Sequence, residues 1–587
     1  METRIRLVIA GAVALSFLVS VVPAFSTVIH VPEDLPSIQA GVDVASSGDT
    51  VLVAAGTYYE IIEMKGDVNL RSETGWADCV TIDGGGWTFG GVVQFTNLSG
   101  SPLLEGFTIT NGGHHGLEIY RTNAVIRNCL ITENRTNTYG GGVYCHRGFP
   151  VFFDCVISEN HAELLGGGVI ASYDPGLAMT DCRIIRNSSG SSSGGLSSSS
   201  SSIFTRCEFL ENTAVFSGGG LGLGGHEIFR DCRITGNRAL SGGGGGIWCG
   251  GGQIFENCNI MDNSANWDGG GVFIYEDKSP ISNLEFFQCT ISGNVSSGGD
   301  GGGIFSGGNP SFDQCRIWDN LAVVGSGGGF YNRGSLKLTE CLVTENSAGH
   351  NGGGAFCATS DSTLVTQCTF AGNAASGQGG GIYTYSSNLL LTRSIIAFSQ
   401  DGEGIYCYGG NPPVGIGMCD IYGNEGGDQV CGTDIGGNFS EDPLFCDIAT
   451  GNYFLDQDSP CLIGADPYIF VIGANGLGDC SVAPVDDPAL ARQAALGVLG
   501  QNHPNPFNPL TTIPFALSKP GRPVLRIFDI AGRQVRTLLQ GERYDAGPGQ
   551  VTWNGRDDSG KVLPSGVYFY RLDVQDFRET RRLVLMK

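Results

Sequence analysis

Basic residues are scarce in this chain: 33 Lys and Arg stand against 58 Asp and Glu, a formal net charge of −25 over 587 residues. That balance excludes a surface built to neutralise nucleic acid or an anionic membrane, and a site that holds a polyanion without a metal. Long apolar runs are also lacking. The exception is Leu7 to Val22, preceded by Arg4 and Arg6, followed by small residues around Ala24 and Ser26, and somewhat short for a membrane span. This is the layout of a secretory signal peptide over residues 1–26. It predicts an exported mature chain with no transmembrane segment. Three triplets that bring carboxylate, imidazole or basic side chains to catalysis are missing too: Asn-Thr-Asp, Gly-His-Gly and Arg-Ile-Lys do not occur. Gly113-His-His-Gly116 is the nearest approach and reads as a surface corner.

What fills the chain instead is glycine, 94 residues, and cysteine, 20 residues. Both are spent on a repeat. The phrase Phe-x-x-Cys-x-Ile-x-x-Asn stands at Phe152/Cys155/Ile157/Asn160 and returns at Phe229/Cys232/Ile234/Asn237, Phe255/Cys258/Ile260/Asn263, Phe286/Cys289/Ile291/Asn294 and Phe312/Cys315/Ile317/Asn320. Its cysteines recur roughly every 25 to 27 residues from Cys129 to Cys368, the signature of stacked supersecondary units.

Cys and the aliphatic two places on share one face of a strand, whereas Phe three before Cys breaks the alternation and requires a corner. A second strand is announced by three glycines and an aliphatic, as at Gly140 to Val143, Gly218 to Leu221 and Gly379 to Ile382. No period has room for a helix. The spacing therefore predicts a parallel β-helix whose repeat positions form columns along the axis, one coil every ~4.8 Å. Phenylalanines and cysteines become interior stacks. Asn134, Asn160, Asn187, Asn212, Asn237, Asn263, Asn294, Asn320, Asn346 and Asn373 become a buried amide ladder, and glycines permit corners with positive φ and close backbone approach. The serine-rich run Ser188 to Ser202 keeps the repeat and reads as an ordinary coil with small side chains.

Two columns are candidates for function. Tyr144, Trp248, Phe273, Phe305, Tyr331, Phe356, Tyr383 and Tyr406 follow the glycine–aliphatic group one step out of phase, so they point outward as a stripe for a glycan or protein partner, unless corner loops fold over it. An acidic column precedes the asparagines. Glu133/Glu159 and Asp319/Glu345 lie in adjacent coils and could hold Ca²⁺ through oxygen ligands, or form a solvated acidic edge. No other cofactor is expected. Cys145, Cys249, Cys357 and Cys407 cannot bridge one another along their column and read as free thiols. Cys431, Cys446, Cys461 and Cys480 fall outside the ladder, where disulfides are expected.

Ser37-Ile-Gln-Ala-Gly to Gly48-Asp-Thr-Val-Leu-Val-Ala-Ala-Gly-Thr-Tyr58, with Thr81-Ile-Asp-Gly-Gly85, resembles the opening of pectin-lyase-like β-helix proteins. Cys129 to Asn424 resembles the repeats of chlamydial polymorphic outer-membrane proteins, with Gly-Gly-Gly-Ile and Cys-x-Ile-x-x-Asn in place of that family's motifs. After an Ala/Pro/Asp-rich linker over 483–502 come short alternating strands. Asn505-Pro-Phe-Asn-Pro509, Ile527-Phe-Asp-Ile-Ala-Gly-Arg533, Trp553-Asn-Gly-Arg-Asp557 and Ser565-Gly-Val-Tyr-Phe-Tyr570 resemble type A sorting domains of type IX secretion and the Ig-like domain of the flagellar hook-capping protein. That resemblance implies passage across a bacterial outer membrane through type IX-like machinery, then release or attachment at the cell surface of a Gram-negative-type bacterium.

The expected fold is all-β: a single-stranded right-handed parallel β-helix over 27–482, capped at about 27–60 and 425–482, followed by a small Ig-like β-sandwich over 503–587. The expected role is a secreted or outer-membrane-associated surface protein that is adhesive or binds a glycan or surface partner. The alternative is a polysaccharide lyase or glycoside hydrolase of the pectin-lyase-like fold.

Overall fold

The structure, a computed structural model, describes residues 26–587 apart from 174–175, 277–283, 359–361, 410–413, 464–469, 479, 481–497, 500–509, 518–520, 529–532, 545–546, 565, 575–576 and 586–587. The expected signal peptide, almost all of the linker and the Pro504 to Pro509 motif lie outside the described residues. Two compact units divide the chain. One runs to Ile254 and takes in Met261–Leu284; the other comprises Phe255–Ile260 and the chain from Glu285 onward.

The first unit opens with strand Val28–Val31, helix Ile38–Val44 and strand Thr50–Val53. Ser37 Oγ accepts from Ala40 N at 3.2 Å, and the Glu60 carboxylate accepts from the amides of Ile38 and Gln39 at 3.0 Å each, so the helix start is satisfied from two sides. Ile38, Gly41 and Val42 turn inward, and the expected capping helix is present.

A typical coil has four strands: Ile228–Arg230, Arg233–Thr235, Arg238–Ala239 and Ile247–Cys249. Each pairs in parallel and in register with the coil before it, through Phe204↔Phe229, Phe209↔Ile234, Ala214↔Ala239 and Leu221↔Ile247. Phe229, Cys232, Ile234, Ile247 and Cys249 face a closed core and are fully buried. Phe204 and Phe229 stack at 4.7 Å, and Phe255, Phe286 and Phe312 at 4.8 and 4.6 Å. Ladder thiols such as Cys155 donate to the carbonyl two residues back, 3.3 Å away, and remain unoxidised.

Glycine supplies part of the positive-φ corners, as expected: Gly140, Gly166, Gly218, Gly269, Gly301 and Gly379 open their triplets at φ of 64–69°. Other corners of the coil are not glycine: the residue before each ladder Cys is left-handed without being glycine, as at Asp154 (φ 52°) and Gln314 (φ 53°), and so are most residues before the ladder Asn, as at Glu159 (φ 56°) and Glu345 (φ 56°). The glycine triplet serves a different purpose at each of its places. Gly218 has φ 67°, whereas a Cβ on Gly220 would lie 2.7 Å from Gly246 O of the next coil and 2.9 Å from Asn237 Cγ, so this third glycine permits the expected close backbone approach and leaves room for the amide ladder.

That ladder is fully satisfied. Asn237 Nδ2 donates to Asn263 Oδ1 at 3.0 Å and to Phe209 O at 2.9 Å, while its Oδ1 accepts from the backbone and side-chain amides of Asn212 at 2.9 and 3.0 Å. In the second unit the same pattern joins Asn294, Asn320, Asn346 and Asn373. It lapses at Ser399 and resumes at Asn424, whose Nδ2 donates to Asp428 Oδ1 at 2.8 Å.

The second unit closes with residues 445–478, where Tyr453 is buried and donates to Glu345 Oε1 at 2.9 Å. Disulfides join Cys407 to Cys431 and Cys446 to Cys480. Cys461 stays free, and Cys407, expected as a thiol, is bridged because its partner comes from the closing segment and not from its own column. In the C-terminal part, one sheet holds Val498–Leu499, which falls within the expected linker, with Thr511–Leu517 and Gly547–Trp553, and another holds Gln534–Gln540, Val524–Phe528, Gly566–Val574 and Phe577–Leu585. Their shared core, including Ile513, Leu525, Ile527, Trp553, Tyr570 and Leu583, is that of the expected sandwich.

Candidate functional site

Strands that follow the glycine triplets alternate strictly. Val143 and Cys145 are buried while Tyr144 between them is half-buried on the outer face. In the second unit this outer position is aromatic in five successive strands: Phe305, Tyr331, Phe356, Tyr383 and Tyr406 lie in register. Their rings stack at 5.3, 4.9, 4.7 and 5.3 Å with interplanar angles between 2° and 21°. Arg333 sits over Phe305 and Tyr331 at 5.3 and 5.2 Å.

Stacking changes what the column offers. A sugar ring packs on an aromatic face, and here each inner face is already covered by the next ring. Phe305, Tyr331 and Tyr383 retain only 5%, 8% and 5% of their surface. The stripe therefore points outward, as its phase predicts, but closes on itself. In the first unit the column is interrupted, since Tyr144 is followed in register by Ile170, Ser197 and Gly222 before Trp248 and Phe273. Trp248 stacks on Tyr275 at 4.5 Å.

Beside this column, exposed rings lie one alternation further along the strands of Tyr383 and Tyr406. Tyr385 and Tyr408 are exposed, 41% and 49%, and stack at 5.1 Å beside Tyr383 and Tyr406. Four tyrosines thus form a two-by-two array on strands Ile382–Tyr385 and Ile405–Tyr408. Burial and the three neighbouring phenols push the Tyr383 hydroxyl above its ordinary pKa. Between Tyr406 and Tyr408, Cys407 ties the outer strand to Cys431. Tyr385 and Tyr408 were legible as the next outward residues of Tyr383-Thr-Tyr385 and Tyr406-Cys-Tyr408.

The acidic candidates occupy left-handed corners: Glu133, Glu159, Asp319 and Glu345 have φ of 57°, 56°, 53° and 56°. Arg186 interrupts the acidic series and pairs with Glu159 at 2.8 Å, and Glu345 takes the Tyr453 hydroxyl. Among the described residues no group of three or more His, Cys, Asp or Glu side chains is arranged to hold a metal. Glu133 and Glu159 instead border an open groove of about 850 Å³ together with Arg135, Arg186 and Ser188. Nearby, His115 is buried and not at a surface corner: it stacks on Tyr144 at 4.9 Å and meets Gly140 O at 2.8 Å. Burial, with His114 adjoining, presses its pKa down to about 3.

Residues 90–260, 196–317, 240–377 and 299–440 match the family model of the right-handed β-helix region, together more than half of the chain. Residues 512–576 match the FlgD Ig-like domain. No curated protein matches. Among solved structures, the chain is similar to dimeric latent PorU from Porphyromonas gingivalis, at 18% identity over 15% of this chain and 9% of that one, with a TM-score of 0.14. It is also similar to the tailspike protein gp49 of Acinetobacter baumannii bacteriophage Fri1, a capsular polysaccharide depolymerase, at 10% identity over 96% of this chain and 78% of that one, with a TM-score of 0.22.

Proposed function

The chain belongs to the right-handed β-helix family, and from that premise we propose that it is a surface-exposed glycan-contacting protein whose contact face is the tyrosine array at Tyr383, Tyr385, Tyr406 and Tyr408. The observation that carries this reading is the pair of exposed rings, Tyr385 and Tyr408, fixed by stacking and by a disulfide within the same strand. Tyrosine supplies a large amphipathic surface with little rotamer entropy left to lose, and a pre-stacked pair has lost most of it already. Successive coils rise by ~4.8 Å, comparable with one residue of an extended glycan, so a chain lying along the axis meets equivalent rings in register. Export through the N-terminal signal peptide and sorting to the cell surface through the Ig-like domain complete the proposal; the FlgD Ig-like match supports the latter.

The test is a glycan-array screen of the chain from residue 27, with and without Ca²⁺. Binding should weaken tenfold or more in the Tyr385→Ala/Tyr408→Ala double variant and persist in Phe356→Ala, whose ring faces are covered. Equal loss in both variants, or none in the first, would refute the assignment of the face.

A further inference from the structure

On the short strands that follow the asparagine ladder, three successive outward positions in the first unit are Arg135, His161 and Ser188, paired in register as Arg135↔His161 and His161↔Ser188. His161 Nδ1 lies 2.9 Å from Ser188 Oγ, and its Nε2 lies 3.3 Å from Glu163 Oε1. A serine hydroxyl, an imidazole and a carboxylate are thus joined in sequence through the two nitrogens of one ring, the relation that activates a serine nucleophile. Gly190 leaves the carboxylate its seat, since a Cβ there would lie 2.9 Å from Glu163 Oε2. Ser188 also borders the groove of about 850 Å³.

The same groove holds the other requirement of acyl transfer, a donor for developing negative charge. Arg186 is committed to Glu159 at 2.8 Å. Arg135 borders the groove with an exposed guanidinium that has no hydrogen-bond or ion-pair partner among the described residues. We propose that Ser188, His161 and Glu163 form a hydrolytic site for short-chain O-acyl esters, with Arg135 receiving the oxyanion, and that the ester alcohol is a glycan hydroxyl. The last clause rests on the glycan-contacting role proposed above; the rest stands on the groove alone.

In this reaction Ser188 Oγ bonds to the acyl carbon as its proton passes to His161 Nδ1. The bond from that carbon to the alcohol oxygen breaks, and the imidazolium returns the proton to the leaving alcohol. Water, deprotonated by His161, then attacks the acyl-serine; the carboxylic acid departs and Ser188 recovers its proton. No oxidant, metal or second substrate is needed. Glu163 reaches Ser188 only through His161 and is a positioning residue: it holds the ring with Nδ1 towards Ser188 and stabilises its cation.

The full chain from residue 27 should react with a fluorophosphonate probe, with the adduct found on the Ser188 peptide by mass spectrometry. p-Nitrophenyl acetate turnover should fall ~100-fold or more in Ser188→Ala and in His161→Gln, the loss expected on removing a nucleophile or its general base. Glu163→Gln should lower kcat with KM unchanged, which a merely structural role would not produce. An adduct absent from Ser188 in the unaltered protein, or turnover indifferent to Ser188→Ala, overturns the site whatever the folding of the variants. Acetate release from an O-acetylated polysaccharide should follow the same variants. Failure there alone, with the probe reaction intact, overturns the glycan assignment and leaves the hydrolase.

Discussion

Replacing Asn237 by leucine probes the load on the amide ladder directly. The two side chains have nearly the same shape, and Asn237 is fully buried, so packing changes little while four hydrogen bonds vanish. The backbone and one side-chain N–H of Asn212 lose their acceptor inside a closed core. Each stranded donor costs about 1–3 kcal/mol, and leucine's extra apolar burial returns only part of that, for a net loss near 3 kcal/mol. Stacked coils contact only their neighbours, so the loss falls mainly on the coils around Asn212, Asn237 and Asn263. Native-state hydrogen exchange reads it locally: amides of those coils should exchange about two powers of ten faster, with remote coils unchanged. An acceleration of less than tenfold would refute the ladder as a source of stability.

Three further outcomes are expected beside the two tests already described. Asp420 is buried, receives the Glu441 amide and the Cys461 thiol, and is held up at about 6 chiefly by burial. Its folded pKa exceeds the unfolded 3.8, so its contribution is complete below about pH 4 and is lost as pH rises through 6, about 3 kcal/mol in all. Thermal melts of the unaltered chain should therefore favour pH 4 over pH 7 in the closing segment, and Asp420→Asn should flatten that slope; an unchanged slope would sink the assignment. Opening the Cys407–Cys431 bridge with Cys407→Ser releases a 24-residue separation and should speed exchange at Ile405 to Tyr408 while sparing Phe305 and Tyr331. Equal exchange on both strands would show that stacking alone fixes the array.

Much of this architecture was legible because period and phase are geometric facts. Cys-x-Ile sets one strand, Phe three earlier sets another, and Asn five after Cys sets a corner, so columns of Phe, Cys and Asn had to follow. Corners were read less well. Glycine marks some of the positive-φ corners, but Glu159, Asp154 and Gln314 take others that no glycine announces, because an exposed side chain tolerates the left-handed region at small cost when the corner hydrogen bonds are made. Gly220 is small for another reason: a Cβ there would meet Gly246 O and the Asn237 amide, residues 26 and 17 positions away in the chain, and no local rule reveals that.

Function was harder to read for a related reason: a column specifies which residues neighbour one another but not which surface they leave open. The aromatic column was expected to offer ring faces, yet in-register stacking covers those of Phe356 and Tyr383, while the flanking Tyr385 and Tyr408 are exposed. The same in-register logic worked unseen in the serine-rich coil. Ser188 looked like filler among small residues, but the coil before it places His161 across from it, and Glu163 two residues further on reaches the far side of that ring. A repeat makes unlike residues converge only where it departs from its own consensus. The corner strands read Arg135, His161, Ser188, Thr213 and Arg238 down one column, and it is this loss of uniformity, against the invariance of the asparagines beside it, that distinguishes a place for chemistry from scaffold.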